Sequence, residues 1–143
     1  MKKLQFEFRW RRLRHPDGND FVYGTELGRL RSQTAYPAVY RWAVERDGKR
    51  TKTYIGETEL LGRRLYHYLN PGPTQQVNLR LREEFLSLQA EGYQVFLDTF
   101  EFEPFEINGI DISVKLLDKK YVRRFVEALI CLQYEEGVEP LNR

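Results

Sequence analysis

The chain has 143 residues, 41% hydrophobic and 31% charged, which suits one domain with its own core and is too short for two of ordinary size. That balance excludes a disordered chain, and no apolar run reaches membrane-spanning length. With two histidines, one cysteine and a net charge of +2, the chain cannot build a disulfide framework or a Cys/His zinc site, and its charge alone implies no nucleic-acid partner.

In chain order, residues 4–10 alternate apolar and polar with the period of a strand, expected at a sheet edge. A turn-rich loop over 15–20 follows, and the chain to Ser32 is expected to be mostly irregular. Residues 38–45 are rich in strand formers, Asp47-Gly48 is a strong turn signal, and 51–56 is strand-like again, predicting a β-hairpin whose polar tip projects beyond the core. Thr58 suits a helix N-cap. Leu61, Leu65 and Tyr68 then recur at helical spacing until Asn70-Pro71-Gly72-Pro73 stops the chain.

A second helix is expected over 75–90, with Val77, Leu81, Phe85 and Leu88 on its buried face and Gly92 as its end signal. Residues 93–103 alternate as a long strand ended by Pro104, and 107–110 suggests a tight turn into a short return strand. The last helix is expected over 117–135, with Tyr121, Phe125, Ala128 and Leu132 as its core stripe and Gly137 and Pro140 beyond its end. This order gives an α/β (α+β) fold in a single domain, 1–143. Cys131 is expected to pack as a small hydrophobe. The N-terminus is basic but lacks the apolar stretch of a signal peptide, so a cytoplasmic location is expected.

Three features bear on chemistry. Glu127 is the sole ionisable group in 125–132, a stretch the stripe would bury, and a buried carboxylate needs a cation or hydrogen-bond donors. An ion pair with Arg123 or Arg124 would be a purely structural answer, although that order of charges adds only about 0.2 to 0.5 kcal/mol to a helix. Arg64 and Tyr68, four apart, share one side of their helix. Basic residues cluster around Trp10 (Arg9, Arg11, Arg12, Arg14 and His15) and again at Arg63, Arg64, Arg80 and Arg82, either as solvated faces or as phosphate grips.

Ala38-Val39-Tyr40 in the first hairpin strand and Tyr54-Ile55-Gly56 in the second resemble the paired motifs of the GIY-YIG nuclease family. Arg64 follows Tyr54 by ten residues, where that family carries a helix arginine. Tyr68 stands where its members have His or Tyr, Glu127 sits in the last helix like the family's metal-binding glutamate, and Asn142 matches a closing asparagine. The resemblance covers 37–143 and leaves 1–36 as an N-terminal extension. Ala38 replaces the first glycine, and the hairpin and the segment before Glu127 are longer than in minimal members.

The resemblance implies a small antiparallel three-stranded sheet flanked by helices, in the order β-β-α-α-β-α, with an extra N-terminal strand. It implies a metal-dependent endonuclease acting on DNA, with no small-molecule cofactor and no membrane partner. Glu127 would hold one Mg²⁺ or Mn²⁺, and Arg64 would donate to the non-bridging phosphate oxygens. Tyr40 would accept the proton of the attacking water and Tyr54 would position that water or the phosphate. Tyr68 would touch the phosphate or support residues that do, Asn142 would orient Glu127 or the backbone near it, and Gly56 would let the chain approach the phosphate. Arg11, Arg12, Arg63, Gln76, Asn78, Arg80 and Arg82 are candidate contacts to phosphates or base edges. The alternatives are a nucleic-acid-binding module of the same fold that does not cleave, or a partner-binding domain with a chance motif. Oligomeric state is left open.

Overall fold

The computed structural model describes residues 5, 7–133 and 135–142. Its centre is the expected hairpin: β2 (Ala38–Arg46) and β3 (Lys49–Thr58) pair antiparallel. Asp47 and Gly48 connect them at φ +52° and +75°, the pair of positive angles that matches a two-residue turn to the twist of the strands. β2 is buried on both faces over most of its length, which is why its sequence runs nearly continuously apolar.

The sheet is larger than the three strands expected. β4 (Gln94–Phe102) lies antiparallel to β2 on the side away from β3, and β1 (Phe8–Arg12) pairs antiparallel with β4. A short β7 (Glu139–Pro140) runs parallel to β3, giving a five-stranded mixed sheet in the order β1-β4-β2-β3-β7. β1 is the predicted edge strand, displaced towards Arg12; residues 4 and 6 of the prediction lie outside the described residues. The predicted return strand does not pair with β4. It forms a separate hairpin of β5 (Phe105–Ile107) and β6 (Ile110–Ile112), turning at Asn108 and Gly109 with φ +50° and +78°.

Strand alternation splits the core between the two faces. On one face Ala38, Tyr40, Trp42 and Val44 pack with α2 (Leu61–Leu69) and α3 (Gln76–Ala90) through Leu61, Leu65, Tyr68, Leu81 and Phe85. On the other face Val39, Ile55 and Phe100 meet Leu117, in a 3-10 turn over Val114–Asp118, and Val126 of α4 (Lys120–Cys131). The segment expected to be irregular is a full member of the first layer: Phe21, Tyr23, Leu27 and Leu30 are buried there, and α1 (Leu30–Gln33) packs against α2. Single aromatic side chains anchor it without any periodicity for the sequence to display.

Several local expectations give way to packing. Thr58 ends β3 and is not the N-cap of α2; Leu60 holds that place, and the Thr58 hydroxyl accepts its N–H at 3.2 Å. On α3, Val77 is exposed and Asn78 takes the buried place. α4 begins later than expected, because its first residues form the 3-10 turn, and its predicted core stripe faces outward: Tyr121 is 71% exposed, Phe125 63% and Leu132 83%. Arg123 and Val126 face inward in their place. Arg123 sets this rotation by donating from Nε to Glu57 at 2.8 Å and from Nη1 to the carbonyls of Leu117 and Asp118 at 2.9 and 3.0 Å. Cys131, on the outer side, is exposed and not packed as a small hydrophobe. Among the described residues no helix is long and apolar enough to cross a membrane.

One polar cluster spans three strands. The Asp98 carboxylate, 2% exposed, accepts from Arg41 Nε and Arg12 Nε, each at 2.8 Å, and Arg12 also pairs with Glu45. Arg12, a candidate phosphate contact on sequence grounds, is therefore committed to the fold. Burial lowers the Arg41 pKa against the pull of Asp98, so the carboxylate between the two guanidinium groups keeps both charges tolerable. Removing one member of a buried ionic cluster costs about 3 to 5 kcal/mol. Asp98→Ala is expected to lose that much in urea denaturation.

Candidate functional site

The site is built around a close fit across the hairpin. Tyr40 and Gly56 are directly paired residues of β2 and β3, so their side-chain directions share a face. A β-carbon at position 56 would lie 2.4 Å from the Tyr40 hydroxyl, so glycine is needed there for the tyrosine ring to lie across the strand. The Tyr40 hydroxyl then stands 2.7 Å from that of Tyr68, one turn beyond Arg64 on α2. Both phenols are essentially buried. Tyr54, on the same face of β3 as Gly56, is only half-buried.

Burial pushes the Tyr40 and Tyr68 pKa values well above the ordinary tyrosine value, and that of Tyr54 upward as well. These phenols are therefore neutral hydrogen-bonding groups at neutral pH. Arg64 opposes the shift at all three, and Glu127 adds to it at Tyr40 and Tyr54. An arginine on α2, a carboxylate on α4 and phenols from β2, β3 and α2 thus share one electrostatic neighbourhood at the β3 side of the sheet.

The two opposite charges in this neighbourhood are not closed into ion pairs. Among the described residues Arg64 is half-buried and makes no salt bridge. Glu127, also half-buried, makes none either; Arg123 turns to Glu57 in place of the pairing weighed from sequence, and that pair lies at 2.8 Å. Burial first, and Glu57 second, raise the Glu127 pKa against the weaker pull of Arg124 and Arg64.

Asn142 acts on the backbone of β3. Its side-chain oxygen accepts the N–H of Ile55 at 2.8 Å and its amide donates to the Ile55 carbonyl at 2.7 Å, while Leu141 N–H donates to Thr53 at 2.7 Å. It holds the β3 backbone between Tyr54 and Gly56 and makes no hydrogen bond to Glu127. Arg80 reaches the same tail: its Nη2 donates to the Leu141 carbonyl at 3.3 Å, its buried Nε has no partner, and its charge favours the Tyr54 phenolate.

The remaining candidate contacts do not converge with this cluster. Arg63 pairs with Glu59 and Arg11 with Glu101, both on exposed surface. Arg82 donates to the Leu69 carbonyl, Gln76 is exposed, and Asn78 is buried and donates to Gln75. Glu57 was missed from sequence, and Arg123 was weighed only as a partner of Glu127. The signal available was that Glu57 directly follows Tyr54-Ile55-Gly56 and that Arg123 lies one turn before Glu127 on the same helix face.

As a metal site, the cluster offers few protein ligands. No group of three or more His, Cys, Asp or Glu side chains positioned to hold a metal occurs among the described residues. A half-buried Glu127 that forms no salt bridge among the described residues, with Glu57 close enough to raise its pKa, suits a hard divalent ion. Such an ion is commonly held by one or two carboxylates, with water and phosphate completing its shell. Searches against family models, curated proteins and solved structures find no match.

The raised pKa of Glu127 means that the folded state holds its proton more tightly than the unfolded chain does. The ionised carboxylate therefore destabilises the fold at neutral pH, and the penalty is relieved as pH falls through the raised value. Glu127→Gln is expected to unfold at a higher temperature than the native chain at pH 7, by a small margin because solvent screens a half-exposed charge. The difference should vanish below about pH 4, where the carboxyl is protonated in both states. Scanning calorimetry across pH reads both.

Proposed function

We propose that the chain is a metal-dependent endonuclease of GIY-YIG type that hydrolyses phosphodiester bonds in DNA, acting in the cytoplasm. The observation that carries this reading is the convergence of Arg64 and Glu127, half-buried and without ion-pair partners among the described residues, beside Tyr54 at positions that resemble the family motifs. Arg64 and Glu127 carry opposite charges, and a ligand of mixed charge can join them. A phosphate and a divalent cation together make such a ligand.

In this proposal the Arg64 guanidinium donates to the non-bridging oxygens of the scissile phosphate, where its planar fork suits two oxygens at once. Tyr54, the most accessible of the three phenols, donates to the phosphate or to the attacking water. Tyr40 suits the role of a base poorly: a buried phenol hydrogen-bonded to Tyr68, with its pKa raised, holds its proton. Its place is to orient Tyr68 and the water, and the absence of a side chain at Gly56 keeps its hydroxyl there. Glu127 would hold one Mg²⁺ or Mn²⁺, which supplies positive charge to the crowded phosphorane and the departing oxygen. Arg80 and Asn142 keep the tail and the β3 backbone in register beneath the phosphate.

The buried state of Tyr40 and Tyr68 supports a second proposal, a DNA-binding module that does not cleave. One assay separates the two: supercoiled plasmid incubated with Mg²⁺ or Mn²⁺ and the native chain, Glu127→Gln or Arg64→Ala. A nuclease relaxes or linearises the plasmid, stops on chelation, and loses on the order of a hundredfold or more in rate in either variant. Its activity should fall on acidification, as the proton competes with the metal for Glu127. Plasmid left equally intact by all three proteins, yet retarded on a gel, assigns the chain to binding alone.

A further inference from the structure

A cavity of about 610 Å³ lies between the C-terminal end of α4 and the sheet, on the face away from α2 and α3. Phe8, Trp10, Ile55 and Ile130 form its apolar wall, and its size falls within the range of roughly 300 to 1,000 Å³ that holds a small organic ligand. Two guanidinium groups supply its cationic side. Arg41 comes from β2, where it is directly paired with Ile55. Arg50 comes from β3 through an irregularity in the ladder: Val44 pairs with Lys52 but Glu45 pairs with Arg50, which leaves Thr51 as an extra residue. With regular pairing Arg50 would share the face of Lys52 and Tyr54; the bulge turns it to the face of Glu45 and Arg41.

Neither guanidinium is fully satisfied. The Arg41 side chain is only 9% exposed, its Nε donates to Asp98 at 2.8 Å, and its Cζ lies 4.6 Å from the centre of the Trp10 ring. Among the described residues its two terminal nitrogens make no hydrogen bond, yet neither is fully enclosed. They therefore keep an open edge, and the cavity is where Arg41 meets open space. Asp98 is shared with Arg12, and burial lowers the Arg41 pKa more than Asp98 raises it, with Arg50 adding to the lowering. Arg50 donates through Nη2 to Glu135, while its Nε is buried and without a partner among the described residues. Glu135 is the one carboxylate among the described residues that lines the cavity; it is half-exposed and lies beyond the end of α4. A buried cation with unused donors, a second cation beside it and a single peripheral carboxylate leave room for one more anion.

We propose that this cavity binds a small oxyanion, a carboxylate or phosphate carried on an apolar body, with Arg41 and Arg50 donating to its oxygens and Glu135 released from Arg50 as the ligand enters. A guanidinium fork matches either group, and the wall of Phe8, Trp10, Ile55 and Ile130 receives the body. The site needs neither DNA nor a divalent metal, so it stands or falls independently of the nuclease proposal.

Isothermal titration calorimetry of the intact chain at low ionic strength tests this, with benzoate, thymidine 5′-monophosphate and inorganic phosphate as probes. One site per chain is expected, with a dissociation constant below about 1 mM for at least one organic probe and weaker binding of inorganic phosphate, which has no apolar body to bury. Tighter binding of the nucleotide identifies a phosphate ligand, and tighter binding of benzoate a carboxylate. Arg50→Gln should weaken binding about tenfold or more, as the loss of a charged hydrogen bond does, and Glu135→Gln, which frees Arg50, should strengthen it. Arg41 is kept intact, because its loss would break the Asp98 cluster; its Nε–H nuclear magnetic resonance signal in the native chain should shift as the probe is added, which locates the ligand. No saturable binding of any probe up to about 10 mM overturns the proposal. So does binding that Arg50→Gln leaves unchanged.

Discussion

Tyr40 occupies the space that any side chain at residue 56 would need. This one steric constraint orders much of the site. It fixes the tyrosine ring across the hairpin and carries its hydroxyl to Tyr68, which brings the buried end of α2 into register with β2 and β3. Gly62 imposes a comparable constraint at the start of α2: a β-carbon there would fall 2.1 Å from the Arg31 carbonyl, so the helix lies directly against α1. With the Gly62 N–H donating to the Thr34 carbonyl and the Leu61 N–H to that of Tyr36, α2 begins at a defined point. The position of Arg64 follows from it.

Charges are handled in two ways within one sheet. Around Asp98 each guanidinium has its carboxylate, two arginines also lie over aromatic rings, at 4.1 Å for Arg12 on Phe96 and 4.6 Å for Arg41 on Trp10, and the cluster ties β1, β4 and β2 together. Arg123 and Glu57 do similar work where α4 meets β3. Arg64 on α2 and Glu127 on α4 feel one another electrostatically without closing a pair. Among the described residues these two opposite charges form no salt bridge, and the proposed function assigns both to a ligand.

The features of this arrangement that were legible in the sequence are those governed by local chemistry. The Asp47-Gly48 turn, the strands on either side of it, the bodies of α2 and α3, and the alternation of β4 all follow from backbone preference and period. The site residues on those elements could be placed in advance. What escaped was decided by tertiary partners. Residues 21–30 enter the core through single anchors such as Phe21 and Leu30, and the face of α4 is chosen by Arg123, whose carboxylate partner is 66 residues away. A hydrophobic stripe does not by itself say which face of a helix the sheet takes, which is why Tyr121 and Phe125 read as core although they are exposed. The place of Asn142 against Ile55 was equally out of reach, since it depends on a two-residue strand pairing beside it. The family proposal rests on motif positions; the geometry supports it by bringing Tyr40, Tyr54, Arg64, Tyr68 and Glu127 into one neighbourhood.

The central claim is that Glu127 is held open for a divalent cation beside a phosphate. Electron paramagnetic resonance of Mn²⁺ titrated into the protein with a short DNA duplex present measures this directly, without requiring turnover. The account predicts one bound ion per native chain, lost in Glu127→Gln while the duplex stays bound. Equal Mn²⁺ binding by the native chain and the variant, or none by either, would contradict it.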